Sequence, residues 1–528
     1  MRPLLALLAS CAAFAQIGAP RLGLLPDGEH LRPIIGIPAA AMAGRPILAG
    51  RRLSTIVISP QQDYAIATDA VNAEVLLIVD GQRATPITGA TAAPDRIAIS
   101  PSGSAAALWF SSTGHAQIVS GLPSTPAVRE IDASFLGAAR TIAAGDTGWI
   151  AGVFDRGVYA FAADTSPIAL PADNSVAALS FFAGGSDLLL ATNARIFTLR
   201  DIAGNPQITS LHEGSLAPVA LAVSPDNRNV AVADASGVIY GINSSQGSLA
   251  ILDCDCTPEG VFPLGNSGFR LTSPASGLVK MYDPAGARIL VIPVAKAEPA
   301  APRLISHASI PALSISGLPS TSTLGQQLAM TISVASPFTS DITGTATLAF
   351  ASASSGDDQT IQFGTGGRSV SFTIPAGSTQ ASFSGKSSVA VLTGTVAGTI
   401  TITASSADES TTATVTTPRT TPVISAVTLS QSNGALTAVV TGYTSTREVS
   451  SGVFSFTAGG GATLAQTNLT VPLSAAFAQW FGNSASIATG GQFTLTVPFT
   501  VQGNASNVVR VAVDLTNQIG VSSVASSQ

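Results

Sequence analysis

The first half of the chain repeats one arrangement of polar and apolar positions about every forty residues. Each unit begins with a polar turn, continues with a run of small apolar residues, turns again, and ends with a run of β-branched or aromatic residues. In the clearest unit the first turn and the two apolar runs are residues 224–227, 230–233 and 238–242. The openings of successive units fall near residues 26, 60, 101, 144, 183, 225 and 264.

A unit of this length predicts four short antiparallel strands joined by tight turns, which together make one blade of a β-propeller. Ser, Pro, Asp, Asn and Gly stand where the backbone must reverse. The nearly continuous apolar runs are typical of strands packed between neighbouring blades. The sequence therefore predicts a seven-bladed β-propeller over residues 20–296. The first unit is short, so we expect part of it to complete the last blade and close the ring.

The second half of the chain changes to strict alternation of apolar with polar or small residues. Residues 369–374 place Val, Phe and Ile on one face, and residues 509–515 repeat the pattern. Residues 297–308, rich in Pro and Ala, predict a semi-extended linker before this half. The alternation predicts two β-sandwich domains, over residues 309–418 and 421–525. The predicted fold class is all-β.

Both halves of the chain resemble known families. Ser224-Pro225-Asp226, followed by the apolar runs of the same unit, resembles secreted bacterial β-propellers of the WD40-like or YVTN-like type. Residues 367–377 and 394–400 resemble bacterial immunoglobulin-like domains, which implies such a domain behind the propeller, and a second one, over residues 421–525, is indicated mainly by its strand spacing. Propellers of this kind serve as interaction platforms, sensors, lyases or hydrolases, so the resemblance implies a fold and not one activity.

Charge is dilute along the whole chain. Only 10% of the residues are charged, with 24 basic against 30 acidic residues and a net charge of −6. A nucleic-acid binder needs clustered cations, and the sequence has no basic stripe, so nucleic acid is excluded as an expected partner. The 46% of hydrophobic residues argue against a disordered chain.

The N-terminus predicts export. Met1-Arg2 is followed by an apolar run over residues 4–13 and by a small-x-small sequence, so residues 1–15 are predicted to be a signal peptide. An alternative is a lipobox over residues 8–11, which would make Cys11 a lipid anchor. No later stretch reaches the ~18 apolar residues of a membrane helix. We expect a secreted or extracytoplasmic protein (periplasm or cell surface) without a transmembrane helix.

Cys254 and Cys256 are the two cysteines that remain after such a cleavage. In an oxidising compartment they could form a local disulfide, and two free thiols are the alternative. A metal site is disfavoured because structural zinc needs four ligands. The histidines cannot supply the missing ones because they are scattered, at positions 30, 115, 212 and 307.

No catalytic, cofactor-binding or metal-ligating residue is predicted. The sequence contains no G-x-S-x-G nucleophile elbow, no H-E-x-x-H motif and no phosphate-binding loop. The propeller acids Asp63, Asp146, Asp187 and Asp226 fall near first turns, where their expected role is turn capping. The alternative is a ring of carboxylates at one mouth of the channel, able to bind a cation or a sugar.

The three tryptophans could mark a glycan-binding platform or simply a core. Trp109 and Trp149 lie in predicted strands, so we expect them to pack between blades. Trp480 lies in an irregular apolar patch that is either core or exposed, and core is the favoured interpretation.

Three functional hypotheses remain. The first is a secreted, non-enzymatic interaction or scaffold protein, monomeric, in which the propeller binds a protein or surface glycan and the immunoglobulin-like domains act as spacer or adhesive modules. The alternative is an extracytoplasmic propeller hydrolase or lyase with its site at the channel mouth. The third is a passive envelope component without a specific ligand.

Overall fold

The described residues form two compact units. A computed structural model describes residues 4–9, 15–48, 50–81, 83–294, 310–354, 356–406, 409–432, 434–460, 462–502 and 504–527. The blade unit comprises residues 22–34 and 43–292, and the C-terminal unit comprises the described residues up to 21, residues 35–42 and those from 293 onward. Cys11, His307 and the predicted linker 297–308 lie outside the described residues. The first two strands, β1 (Leu4–Ala9) and β2 (Gln16–Gly18), belong to the C-terminal unit.

Seven sheets make up the described part of the blade unit, one of three strands followed by six of four strands. The four-stranded sheets are antiparallel throughout. In chain order the sheets are β3 (Arg21–Asp27), β4 (His30–Ile35), β5 (Met42–Ala43); β6 (Leu53–Ile58), β7 (Tyr64–Asp69), β8 (Val75–Val79), β9 (Arg83–Pro86); β10 (Arg96–Ile99), β11 (Ala105–Phe110), β12 (His115–Ser120), β13 (Ala127–Asp132); β14 (Ala139–Ala144), β15 (Ile150–Phe154), β16 (Gly157–Phe161), β17 (Ile168–Ala169); β18 (Ala178–Phe181), β19 (Leu188–Ala191), β20 (Arg195–Arg200), β21 (Gln207–Glu213); β22 (Pro218–Val223), β23 (Asn229–Asp234), β24 (Val238–Asn243), β25 (Ser248–Asp253); β26 (Phe262–Pro263), β27 (Phe269–Arg270), β28 (Val279–Asp283) and β29 (Arg288–Ile292).

The second strand of each four-stranded sheet is packed on both faces. Every residue of β7 and of β11 is buried, which explains why these strands are continuous apolar runs instead of alternating ones. Trp109 on β11 is fully buried, and its ring lies 5.4 Å from that of Phe154 in the next sheet. Trp149 is half-buried against the cluster formed with the following sheet. The predicted packing of these two tryptophans between blades is confirmed.

Successive sheets of the blade unit meet at their first strands. Each of β6, β10, β14, β18 and β22 contacts the first strand of the next sheet, which makes these strands the innermost ones. The turns that follow them are joined from sheet to sheet by hydrogen bonds. The bonds run from Tyr64 Oη to the Gly103 carbonyl, from the Ser102 and Gly184 N–H groups to Asp146, between Asn227 and Ala183, and from the Asp226 N–H to Asn266.

Gln62 closes this ring of turns. Its Nε2 donates to the carbonyl of Pro263 at 2.6 Å, and its Oε1 accepts from the N–H of Leu24 at 2.7 Å. Beside it, the N–H of Gly265 donates to the carbonyl of Pro60 at 3.0 Å. The seventh sheet is thus bonded to the second, and the first sheet joins through Leu24. The prediction of an all-β fold with repeated blades is confirmed. The expectation that part of the first unit completes the last blade is wrong, because the first unit forms a three-stranded sheet of its own and the seventh sheet takes all four of its strands from residues 262–292.

The first part of the C-terminal unit has two sheets that cover one hydrophobic core. Its strands are β30 (Leu313–Ser316), β31 (Gln327–Val334), β32 (Ile342–Ser352), β33 (Ser369–Ile374), β34 (Val389–Leu392), β35 (Gly398–Ser406) and β36 (Glu409–Thr417). One sheet has the order β30-β31-β34 and the other β33-β32-β35-β36. Alternate residues of β35 are buried, as the period-two pattern predicts.

The second part repeats this layering with one α-helix added. Its elements are β37 (Val423–Ser432), β38 (Ala435–Tyr443), β39 (Ser451–Ala458), β40 (Thr463–Leu464), β41 (Asn468–Pro472), α1 (Ser474–Gly482), β42 (Gln492–Gln502), β43 (Val508–Asn517), β44 (Gly520–Val521) and β45 (Ala525–Ser526). One sheet has the order β37-β38-β42-β1-β40, with β2 also on β42. The other has the order β41-β39-β43-β44, with β45 on β43. A single core lies between them.

The N-terminal segments complete the edge of β42. Strand β1 pairs antiparallel with residues 499–502, and β2 pairs antiparallel with residues 494–496. The fully buried Gln492 accepts from the N–H of Ile37 at 2.7 Å and donates to the carbonyl of Ala40 at 3.1 Å. Residues 35–42, which lie inside the range predicted for the propeller, therefore belong to the C-terminal unit.

Candidate functional site

The innermost strands of the blade unit carry exposed cationic and apolar side chains. Arg96 on β10 and Arg140 on β14 are exposed. Val219 on β22 and Phe262 on β26 keep 44% and 39% of their surface accessible. The six first strands from β6 to β26, as described, contain no Asp or Glu. We name these four residues the inner-strand surface.

Phe262 is held in place by its surroundings. The Arg270 guanidinium lies 4.0 Å from the centre of its ring, in a cation–π contact. A Cβ built on Gly260 would come within 2.5 Å of the ring, so glycine at this position makes room for it. The ring is therefore fixed between backbone and guanidinium while part of it remains accessible.

Arg270 is a buried cation with few partners. Its Nη1 donates to the carbonyl of Thr272 at 3.0 Å, and the side chain is 4% exposed. Burial lowers the pKa of Arg270 to about 10, with Glu259 acting in the opposite direction. The guanidinium stays protonated at neutral pH, so positive charge is present directly behind Phe262.

The two arginines of the inner-strand surface are only lightly engaged. Nη2 of Arg140 donates to the carbonyl of Asn174 at 2.8 Å. Neither arginine forms an ion pair with a described residue, whereas Arg129 on the outer strand β13 is paired with Asp164 at 2.8 Å. Lightly engaged guanidinium groups can bind carboxylates of a partner with little rearrangement.

Two of the predicted acids cap turns. Asp146 accepts from the N–H groups of Ser102 and Gly184, at 3.0 and 2.7 Å, and so ties three successive turns together. Burial raises the pKa of Asp146, but these hydrogen bonds lower it by more, and the net direction is downward. Asp226 accepts from Ser224 Oγ at 2.6 Å within its own turn. Turn capping is therefore confirmed for these two acids.

The other two acids have different positions. Asp187 accepts from the N–H of Asp201 at 3.1 Å, which holds the far turn of its own sheet. Asp63 is exposed at the start of β7. Within the described ranges, no group of three or more His, Cys, Asp or Glu side chains is arranged to hold a metal ion.

Cys254 and Cys256 are bonded to each other, with their Cα atoms 5.1 Å apart. Among the three alternatives left by the sequence, the structure has the disulfide. Among the histidines, His115 lies on the surface, 2.6 Å from Glu130. The Glu130 hydrogen bond raises the pKa of His115.

A buried polar cluster, which the sequence did not predict, joins the two parts of the C-terminal unit. Asp358 is fully buried. Its Oδ1 accepts from the N–H and Oγ1 of Thr360, at 2.9 and 2.5 Å. Its Oδ2 accepts from the N–H and Oγ1 of Thr395, at 2.7 and 3.1 Å, and from the N–H of Val396 at 3.0 Å. A Cβ on Gly490, whose φ is +63°, would stand 2.2 Å from this carboxyl group.

Arg447 is the cationic member of the cluster. Its Nη1 donates to the carbonyl of Gly490 at 2.7 Å, and its Nη2 donates to the carbonyl of Phe481 and to Ser486 Oγ, at 3.0 and 2.8 Å. Burial lowers the pKa of Arg447, while Asp358 raises it. Residues from both sandwich-like parts therefore share one buried network.

Among known proteins, only solved structures match the chain. No family model and no curated protein matches the chain. The chain is similar to the β-propeller domain of Cps50 (Swd1) from Myceliophteria thermophila, with 14% identity, 53% of this chain and 99% of that chain covered, and a TM-score of 0.35. It is similar to a functionally unknown protein from Desulfotomaculum acetoxidans, with 14% identity, 52% and 94% covered, and a TM-score of 0.37. The RRP9 WD40 repeats match with 12% identity, 54% and 85% covered, and a TM-score of 0.34.

The class defined by the fold is an all-β protein with a β-propeller-like unit. This follows from the repeated four-stranded sheets and the closed ring of turns. Propeller-like folds in general provide platforms for protein interaction. In the part of the chain that the structure describes, no helix combines the length and apolar character needed to cross a membrane.

Proposed function

We propose that the protein is a secreted, non-enzymatic interaction protein whose inner-strand surface binds a partner protein. In this proposal the two β-sandwich parts of the C-terminal unit are immunoglobulin-like modules that act as spacers or adhesive elements. The observation that carries the proposal is the combination of Arg96 and Arg140 with accessible Phe262 and Val219 on the innermost strands.

The chemistry of this surface specifies the partner. Aromatic and arginine side chains are the residue types that dominate binding energy at protein interfaces. Because the described first strands β6 to β26 carry Arg96 and Arg140 and no acid, the complementary segment would present carboxylates beside an apolar side chain. Phe262 is already fixed by Arg270 and Gly260, so its ring loses little freedom on binding.

A capture experiment tests this proposal with the full chain. Wild type and the triple variant Arg96→Gln, Arg140→Gln, Phe262→Ala are immobilised and exposed to the envelope fraction of the source cells. We expect a specific protein to bind wild type and to lose at least about tenfold in affinity for the variant, since several interface side chains are removed together. The matched control is Arg129→Gln with Val71→Ala, exposed positions outside the inner strands.

The same proteins captured equally by wild type and by the triple variant would contradict the proposal. Turnover in a broad hydrolase and lyase screen would favour the enzyme hypothesis instead. Circular dichroism and a melting curve show whether the triple variant is folded, so a loss of capture is attributed to the surface.

Secretion is part of the proposal and has its own test. The signal-peptide pattern of residues 1–15 supports a mature chain that begins at Gln16. Removal of the leader would also remove β1 and expose the β42 backbone over residues 499–502. Mass spectrometry of the N-terminal peptide from the protein in its source cells decides between Gln16, an acylated Cys11 and an intact Met1. An intact Met1 would overturn the proposed export.

A further inference from the structure

Strand β25 is the outermost strand of its sheet in the blade unit. Its inner edge pairs with β24, with Ala250 opposite Gly241, and its other edge pairs with no described strand. Leu249 and Ile251 on β25 keep 41% and 56% of their surface accessible. They are two positions apart, so their side chains lie on the same face of the sheet. The strand therefore presents an open backbone edge together with apolar side chains.

The hydrogen-bonding register shows which backbone groups of β25 point to the open edge. The N–H of Cys254 donates to the carbonyl of Gly237 at 2.9 Å, one position beyond the last pair of the ladder between β24 and β25. Hydrogen-bonded and non-hydrogen-bonded pairs alternate in an antiparallel ladder. Counted back from Cys254 in steps of two, the even-numbered residues of β25 bond to β24. The backbone groups of Leu249, Ile251 and Asp253 therefore point to the open edge.

The other outer strands of the four-stranded sheets are protected against pairing with a further strand. Strand β9 contains Arg83 and Pro86, and β17 is only two residues long. Strand β13 contains Arg129 and Glu130. Strand β21 has an irregular register against β20 and ends at Glu213, and the last three residues of β29 are buried. Charges, proline, bulges, short strands and burial all keep sheet edges from joining, and β25 has none of them between its ends.

We propose that β25 pairs antiparallel with β25 of a second copy of the chain, which joins two blade units in a symmetric dimer. The outward backbone groups belong to odd-numbered residues, so an odd-numbered residue must face an odd-numbered one. When Ala250 lies on the two-fold axis, Leu249 faces Ile251 of the second copy, and Asp253 faces Gly247. Both apolar side chains then have an apolar partner, and no like charges are opposed. A slide of the strands by two residues would place Leu249 opposite Asp253 or Ile251 opposite Gly247.

A second copy fits this edge because the edge is complementary to itself. In a two-fold dimer every contact off the axis forms twice from one set of residues. A contact confined to one pair of strands belongs to the interfaces below about 1,200 Å², which are weak and transient, so the dimer is reversible. The inner-strand surface stays available in it, because β22 and β25 are the first and last strands of their sheet. A reversible dimer differs from the monomer expected from the sequence.

Sedimentation velocity of the full-length protein at increasing concentration tests the proposal. We expect the sedimentation coefficient to rise from that of a monomer to that of a dimer. Two lysine substitutions form a matched pair, because Ile251 on β25 and Ile208 on β21 are both exposed isoleucines on outer strands. Ile251→Lys places a charge in the middle of the strand pair and should weaken dimerisation at least about tenfold. Ile208→Lys should leave it unchanged.

Cysteine cross-linking tests the register of the strand pair directly. In the proposed pairing, Ala250 of each chain faces Ala250 of the other in a non-hydrogen-bonded pair, with Cα atoms about 4.5 Å apart. A disulfide spans roughly 4.4–6.8 Å between Cα atoms, so Ala250→Cys should form a covalent dimer under mild oxidation. Ser248→Cys is the control, because it faces Leu252 of the second copy and lies several residues from its own counterpart. Wild type controls for the native cysteines, of which Cys254 and Cys256 are bonded to each other.

Three results would overturn the proposal: a monomer at every concentration of wild type, equal effects of the two lysine variants, or cross-linking of Ser248→Cys as complete as that of Ala250→Cys. The triple variant of the inner-strand surface should dimerise as wild type does, because it leaves β25 unchanged. A failure of the capture experiment therefore does not affect this test.

Discussion

Substitution of Asp358 tests the idea that a buried carboxylate holds the two parts of the C-terminal unit together. Both oxygens of this side chain accept from backbone N–H groups, Oδ1 from Thr360 and Oδ2 from Thr395 and Val396. In Asp358→Asn the amide nitrogen must occupy one of these two positions. At least one buried N–H group then faces another donor.

The size of the stability loss follows from the number of backbone N–H groups that lose their acceptor. In the less damaging orientation only the N–H of Thr360 loses its acceptor, at about 1–3 kcal/mol, and the remaining bonds lose their charge assistance, at about 1 kcal/mol. We expect Asp358→Asn to lower the free energy of unfolding of the C-terminal unit by roughly 2–4 kcal/mol. Asp358→Ala leaves three backbone N–H groups without an acceptor, roughly 3–9 kcal/mol, which approaches the whole stability of a domain.

Guanidinium denaturation combined with hydrogen-exchange mass spectrometry provides the assay. The peptide that contains Thr395 and Val396 should lose protection first, because their amides bond to Asp358 directly. The control is Asp341→Asn, the same chemical change at an exposed acid in the same part of the C-terminal unit. Its free energy of unfolding is expected to be within about 0.5 kcal/mol of that of wild type. An Asp358→Asn variant as stable as this control would refute the reasoning.

Three further predictions concern the blade unit. Gln62→Leu removes the three hydrogen bonds of Gln62 to Ser59, Pro263 and Leu24. Because the ring of turns then opens more often, limited proteolysis should cleave the blade unit several-fold faster than in wild type. Equal cleavage rates would contradict the role of Gln62 in closing the ring. The pKa of Asp146 is lowered on folding, so its stabilisation is complete above the ordinary carboxyl value of about 4 and is lost as the pH falls below it. The melting temperature of the Asp146→Asn variant should therefore fall less steeply than that of wild type as the pH decreases below about 4. The same pH dependence in both proteins would count against the turn-capping role. Alkylation without a reductant should leave Cys254 and Cys256 unmodified, whereas prior reduction should label both; labelling before reduction would contradict the disulfide.

The blades were predictable because their determinants are local. The turn at residues 224–227 places Ser, Pro, Asp and Asn in consecutive positions, and the adjoining strand β23 is apolar because it is packed on both faces. The same turn in each unit recurs at a nearly constant interval, so the period alone indicates the architecture. The first unit departs from this because β5 is only two residues long and the sheet has no fourth strand among the described residues.

Contacts between distant residues were not predictable. Asp358 and Arg447 are separated by about ninety positions, and each lies in a segment that resembles an ordinary loop. Gln492 and Ile37 are 455 positions apart. A sequence can indicate such a contact only through a buried polar residue that lacks a local partner, and burial itself was not visible in the sequence. The accessibility of Phe262 was hidden for the same reason, because one apolar residue on a predicted strand looks like core.

The most direct test of the proposed function is photo-crosslinking at the inner-strand surface. The photoreactive amino acid p-benzoylphenylalanine, similar in shape to phenylalanine, is placed at position 262, and in a control chain it is placed at the exposed position 71. After irradiation of the source cells we predict one discrete covalent adduct from position 262, absent from position 71 and abolished by Arg96→Gln with Arg140→Gln in the same chain. The same adducts from both positions, or none from position 262, would contradict the account.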